Sequence, residues 1–345
     1  MKKTLALLLA GVIALSATAC TSSTSASSAA GPAAGSQAAS GAAEKKLKIG
    51  IVQLVEHPAL DAAYKGFVDG LAEAGYVDGK NITLDYQNAQ GEQPNCQTIA
   101  SKLVNDKSDL ILAIATPAAQ AVANTTKDIP VLVTAVTDPA DAKLVASNEK
   151  PGGNVTGTSD LTPVAEQMKL LKQLLPNAKK VAMLYCSSET NSKFQVDIAK
   201  KSAAELGLET VEATVSNSNE IQQVVQSLVS KVDAIYAPTD NMIAAGMATV
   251  SMVAQPAKLP IIVGESGMVD NGGLATYGIN YYDLGLLTAK QAVKILKDGA
   301  KPADMPIEYS TNCDLTINKE VAEKIGVTIP QELLDKAGAA STASK

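Results

Sequence analysis

The sequence predicts an α/β protein of two Rossmann-like lobes, each built on a parallel sheet, joined by a hinge that the chain crosses more than once. Three observations carry this. Short apolar strand signatures alternate with helical periodicities from residue 46 onward. The same pattern then repeats at an offset near 132 residues, KKVAMLYC (179–186) following KLKIGIVQ (46–53). The core must also come from Val, Ile, Leu and Ala, because aromatics are only 3% of the 345 residues. Such a core suits parallel sheets covered by helices.

The elements follow in order. KLKIGIVQLV (46–55) reads as a buried strand. Pro58 suits the first helical position, and Leu60, Ala63, Phe67, Leu71 and Ala74 recur at helical spacing up to Gly75. NITLDYQ (81–87) is a strand, 94–105 a helix, DLILAIAT (109–116) a strand, AAQAVANTT a short helix and IPVLVTAV (129–136) a strand. PGGNVTGTSDLTP (151–163) joins the halves, with Thr162-Pro163 read as cap and first residue of a helix over 163–175. The second half matches the first through VDAIYAPTDN (232–241) and LPIIVGES (259–266). LATYGINYY (274–282) reads as a strand and Asp283 as the cap of the next helix. PIEYSTNCDLTIN (306–318) reads as one extended segment before a helix over 319–325, so the chain recrosses between lobes. The expected division is 46–158 plus 281–303 for the N-terminal lobe and 159–280 plus 304–330 for the C-terminal lobe, with 331–345 a disordered tail.

The N-terminus reads as an export signal. Lys2 and Lys3 precede an apolar run of about 14 residues, short of the roughly 20 needed to span a bilayer. Ala17-Thr18-Ala19-Cys20 resembles a lipobox, so 1–19 is expected to be removed and Cys20 lipidated. Residues 20–45 then form a Ser/Ala/Gly tether with no periodicity.

Composition excludes several functions. All 29 cationic residues are lysine, and there is one histidine, His57. Without arginine and at net charge −6, nucleic acid is an improbable partner. One histidine excludes a multi-His metal site. No cofactor or metal motif is present. Gly264-Glu265-Ser266-Gly267-Met268 has Met where a nucleophile elbow needs its last glycine. Cys96, Cys186 and Cys313 are read as free thiols. The reading is therefore a binding protein rather than an enzyme.

Ligands of open α/β sheets sit beyond the carboxyl ends of the strands. Those loops offer Glu56, Thr116, Ala118, Thr137 and Asp138 from the first lobe. The second offers Ser188, Glu189, Asn191, Asp240, Asn241 and Glu265, and the crossover offers Tyr277 and Asn280. A small zwitterion suits this set. Its carboxylate would take the Thr116 hydroxyl and helix N-terminal N–H groups, its ammonium Asp240 or Glu265. A sugar or nucleoside is the alternative ligand, disfavoured by the lack of Trp and the presence of only two Phe.

IGIVQLVEHPALDAAYKGF, ATPAAQA, TAVTDPADAKLV, GTSDLTP, PTDN and GGLATYGINYYDLG together resemble the substrate-binding proteins of tryptophan/tyrosine-type ABC transporters over about 46–330. The resemblance implies a type I periplasmic-binding-protein fold with three interlobe crossings. It also implies a monomeric lipoprotein on the outer face of the cell membrane. Its partners would be an ABC permease and ATPase, its ligand an aromatic or other amino acid, and its mechanism hinge closure. A ligand-sensor subunit of the same fold is the alternative role. Where the family pattern is YNPSE, this chain has YCSSE (185–189).

Overall fold

The computed structural model describes residues 46–310 and 312–343. The export signal, Cys20 and the tether lie outside the described residues. The first lobe runs β1 (Leu47–Gln53), α1 (Pro58–Glu73), β2 (Ile82–Asn88), α2 (Gln93–Asn105), β3 (Leu110–Ile114), α3 (Thr116–Thr125), β4 (Val131–Val136) and β5 (Val155–Ser159). The second runs α4 (Val164–Leu174), β6 (Lys180–Cys186), α5 (Thr190–Glu205), β7 (Glu209–Val215), α6 (Ile221–Leu228) and β8 (Ala234–Ala237). It continues with α7 (Asn241–Ala245), α8 (Met247–Ala254), β9 (Ile261–Val263), α9 (Ser266–Asp270) and β10 (Ala275–Gly278). The chain then returns with α10 (Tyr281–Asp298) and β11 (Glu308–Tyr309), and crosses again to β12 (Asp314–Ile317), α11 (Lys319–Ile325) and α12 (Gln331–Ala343).

Two six-stranded sheets result, ordered β11-β5-β4-β3-β1-β2 and β12-β10-β9-β8-β6-β7. Every pairing is parallel except β10 with β12. Central strands such as LILAI of β3 are buried along their whole length, as a strand covered by helices on both faces must be. In the second lobe one cluster, around Met168, Tyr236 and Leu274, packs beneath α4, α11 and α12. A separate one, around Ile235, Ile243 and Met247, packs beneath α6–α9.

The structure corrects four details. Residues 304–309 belong to the first lobe, because Glu308 and Tyr309 pair with Thr158 and Ser159 of β5. The extended reading of 306–318 missed that its two ends serve different sheets. Residues 331–343 are helix rather than tail, anchored by Leu333 in the second-lobe core. Asn280, not Asp283, caps α10, its Oδ1 accepting from the N–H groups of Tyr282 and Asp283. Helix α4 begins at Val164, with Pro163 at the cap position. The three crossings fall between β5 and α4, β10 and α10, and β11 and β12.

Glycines set how closely α1 and α10 approach. A Cβ on Gly66 would lie 2.0 Å from the Tyr282 carbonyl oxygen, and one on Gly285 2.1 Å from that of Ala63. Both obstacles are backbone, so neither can swing aside. Gly66→Ala and Gly285→Ala are each expected to destabilise the first lobe by about 1–3 kcal/mol through overpacking. Chemical denaturation followed by circular dichroism checks this, and an unchanged midpoint would show the helices free to separate.

Candidate functional site

The carboxyl ends of the two sheets face each other across a seam. Four hydrogen bonds cross it. His57 Nε2 lies 3.3 Å from Asn241 Oδ1, and Gln195 Nε2 donates to Thr137 Oγ1 at 3.2 Å. Gln120 Nε2 donates to Thr190 Oγ1 and Gln93 Nε2 to the Ser188 carbonyl, both at 3.4 Å. The lobes are thus closed on one another.

Local backbone aims the seam's groups. Ala115, between β3 and α3, holds φ 82° and ψ 152°, a region that L-residues rarely adopt. Ala135 near the end of β4 holds φ 53°, beside a register shift between β4 and β5. These two strained residues sit where the first sheet meets the second lobe. Helix α3 starts directly after Ala115, and its first N–H groups have no intrahelical acceptor.

Several polar atoms at the seam are buried yet unpartnered. They are Thr116 Oγ1, His57 Nδ1, Asp160 Oδ1 and Asn191 Oδ1. Their residues are only 1–7% exposed. A buried polar atom left unsatisfied costs about 1–3 kcal/mol, so clustered orphans mark a place where a partner belongs. His57, Asp160, Thr239, Asp240, Asn241, Glu265 and Tyr281 surround a cavity of about 10 Å³, enough for about one water. Larger interlobe cavities flank it. One of about 470 Å³ lies beside Leu54, Pro117 and Met242, and one of about 300 Å³ beside Pro58, Glu265 and Asn280.

The electrostatics are one-sided. Asp160, Glu189, Asp240 and Glu265 are all buried, and no lysine lines the three seam cavities. Burial pushes Asp160 up to about 6, partly opposed by the Tyr281 hydroxyl at 2.7 Å and by the Thr137 hydroxyl. Burial likewise raises Glu265 to about 7 against the N–H groups of Gly267 and Met268. Glu189 and Asp240 are both raised, chiefly by burial, and the Asp240 charge raises Glu189 further. His57 is lowered to about 4 by burial and so is neutral near pH 7.

The sequence-derived candidates separate into two groups. Thr116, Thr137, Asn191 and Asn241 are buried at the carboxyl ends of the sheets, and Ala118 packs into the first-lobe core. The carboxylates are committed elsewhere. Asp240 Oδ2 accepts from Cys186 N–H and the Ser192 hydroxyl, and Oδ1 caps α7 through Ile243 N–H. Glu189 accepts from the Asn241 and Met242 N–H groups. Glu265 caps α9 with both oxygens. Asp240 and Glu265 border the small seam cavity but already accept bonds from the chain, so an ammonium there would share them with those donors. Asp138 turns into its own loop, taking N–H bonds from Ala140 and Asp141. Glu56 is exposed, and its neighbour His57 occupies the seam. Tyr277 packs on the second-lobe core away from the seam, and Ser188 and Asn280 lie at exposed cavity rims. Sequence reasoning left out Asp160 and Gln195. Asp160 stood in the GTSDLTP crossover, a segment read as a joint rather than a site.

Residues 48–341 match the family model described as ABC transporter substrate binding protein, and the chain belongs to that family of transporter-associated binding proteins. It is 46% identical over 325 residues to the tyrosine-binding protein of Clostridioides difficile, covering 94% of this chain and 92% of that one. It overlays with TM-score 0.82 and 46% identity on an ABC domain from Streptococcus pneumonia in complex with L-Trp, covering 85% of this chain and 99% of that one. The ligand-free, open structure of a substrate binding protein with adhesive properties from Clostridium difficile is 50% identical but overlays at 0.63, over 83% and 96% of the two chains. Better agreement with the complex than with the open form, at similar identity, accords with the hydrogen bonds closing the seam here.

The seam's titrations oppose one another in a predictable way. Asp160 and Glu265 hold their protons above the ordinary 3.8 and 4.5, so their contribution to stability is full at low pH. It is lost as pH rises through about 6 and 7. His57 acts in reverse, its contribution being lost as pH falls from 6.5 toward 4. The raised carboxyls outnumber it. Ligand-free protein is therefore expected to lose on the order of 1–3 kcal/mol between pH 5 and 7.5, and Asp160→Asn to flatten that slope. Calorimetric scans across this range decide it, and a rising melting temperature would contradict the assignment.

Proposed function

We propose that the chain is the extracytoplasmic binding component of an ABC importer for an amino acid with an aromatic side chain, held in the interlobe seam by hinge closure. One observation carries this reading: Asp160 Oδ1 and Thr116 Oγ1 are both buried and unpartnered at a seam that holds four buried carboxylates and whose cavities no lysine lines. An α-amino acid supplies what is missing. Its ammonium donates to Asp160, and its carboxylate accepts from the Thr116 hydroxyl and the opening N–H groups of α3. This replaces Asp240 and Glu265 in the ammonium role. An aromatic side chain is supported by the relatives, one named as tyrosine-binding and one solved with L-Trp.

Asp160 also joins the ligand to the hinge. It lies in the first crossing, and its other oxygen accepts from the hydroxyl of Tyr281, which opens α10 just after the second. An ammonium drawn to Asp160 therefore fixes two hinge segments as it binds. A ligand touching both lobes favours closure by its differential affinity for that state, and the closed form is what a permease with its ATPase reads. In this reading residues 1–19 are cleaved, a lipid on Cys20 anchors the protein, residues 20–45 tether it and it acts as a monomer. Among the described residues no helix is long and apolar enough to cross a membrane.

Thermal-shift measurements on the full chain test the reading. L-Trp or L-Tyr at 100 times its Kd should stabilise by about 2.7 kcal/mol. Asp160→Asn should weaken that binding at least about 30-fold while the protein still folds. Asp240→Asn should chiefly lower the melting temperature. A response to sugars or nucleosides with none to amino acids would overturn the reading.

A further inference from the structure

The amino-acid reading leaves open where the side chain goes, and on that reading the cavities answer it. The space beside Asp160 is about 10 Å³, too small for a ring. The 300 Å³ cavity is bordered by Glu265, Asp270 and Asp314, three carboxylates that disfavour an apolar group. The 470 Å³ cavity is bordered by Glu92 and Glu189 as well, but its walls are more apolar. Its walls include Leu54, Val55 and Pro117 from the first lobe and Met242 and Ala245 from the second. Pro117 lines it and directly follows Thr116, so this cavity adjoins the start of α3 that would hold the carboxylate.

Its shape carries a further consequence. No aromatic residue lines it, so recognition rests on aliphatic and sulfur contacts rather than ring stacking. Gln90, Glu92, Gln93, Ser216, Asn217 and Asn219 form its polar rim. Three of the rim groups have partners, and so do the buried Cys186 and Glu189, which bond the Ser188 hydroxyl and the Asn241 and Met242 N–H groups. Ser216 and Asn217 bond Glu220, while Gln93 bonds the Ser188 carbonyl. No buried polar group of the cavity therefore waits for one particular ring substituent. Sites reject analogues strongly when such a group would be left unpaired, and only weakly through apolar fit.

We propose that this cavity is the side-chain subsite and that it accepts aromatic amino acids bearing polar or bulky ring substituents, with little discrimination between phenol and indole.

Isothermal titration of the full chain with L-Trp, L-Tyr, 5-hydroxy-L-tryptophan and 3-iodo-L-tyrosine tests this. The substituted ligands should bind within about tenfold of their parents. Met242→Trp and Val55→Trp, made separately on opposite walls at half-buried positions, fill the cavity. Each should weaken L-Trp binding by at least about tenfold, and each is checked for folding by its melting temperature. Exclusion of the substituted ligands with L-Trp still bound overturns the subsite and leaves the amino-acid reading standing. Unchanged L-Trp affinity in both filled variants does the same. Absence of binding by every amino acid overturns both.

Discussion

Closing the carboxyl edges of two sheets against each other buries polar groups that water satisfied in the open state, and the rest of the protein is arranged around that fact. Most of those groups find partners within the chain. Glu189, Asp240 and Glu265 serve as acceptors for helix N-termini in the second lobe. Gln195 reaches across the seam from α5, and His57 does so from the start of α1. What remains unpartnered is a small set, and a zwitterion complements it. The energetic logic of a binding protein follows: the closed state is well organised but short of the donors that only a ligand brings.

Arginine's absence makes the mechanism specific. With no guanidinium in the chain, an anionic ligand group must be met by hydroxyls and helix N-terminal N–H groups. The strained Ala115 sits directly before α3, whose opening N–H groups would serve in that way. The buried acids are the counterpart on the other side of the charge ledger. Their pKa values are raised by burial, which an ammonium brought beside them would offset.

In the proposed reading the hinge and the site share residues. Asp160 and Tyr281 sit at two of the three crossings and bond to each other. A contact at Asp160 therefore acts on the hinge directly, without a relay through either core. The close glycine packing of α1 against α10 seats the returning helix firmly on the first lobe.

The two-lobed α/β fold was legible in the sequence because burial writes itself as periodicity: fully apolar runs for parallel strands, 3.6-residue spacing for helices, and a repeat for the second lobe. Loops rich in hydroxyls and amides at strand ends were legible for the same reason, and Thr116, Thr137, Asn191 and Asn241 followed from them. Which carboxylate stays free was not legible. Asp240, Glu265 and Asp160 look alike in sequence, but their availability depends on which N–H groups lie within reach after folding. A strand-end Asp whose helix begins immediately afterwards is consumed as a cap, whereas Asp160 lies in a crossing before a helix that starts four residues later. The two-residue β11 was hidden as well, since so short a strand has no period and exists only because β5 offers it an edge. Sequence by itself thus determined the elements, their repetition and the chemical palette. Only tertiary structure decided which polar atoms were spent on the fold and which were left for a ligand, because hydrogen-bond satisfaction depends on neighbours distant in the chain.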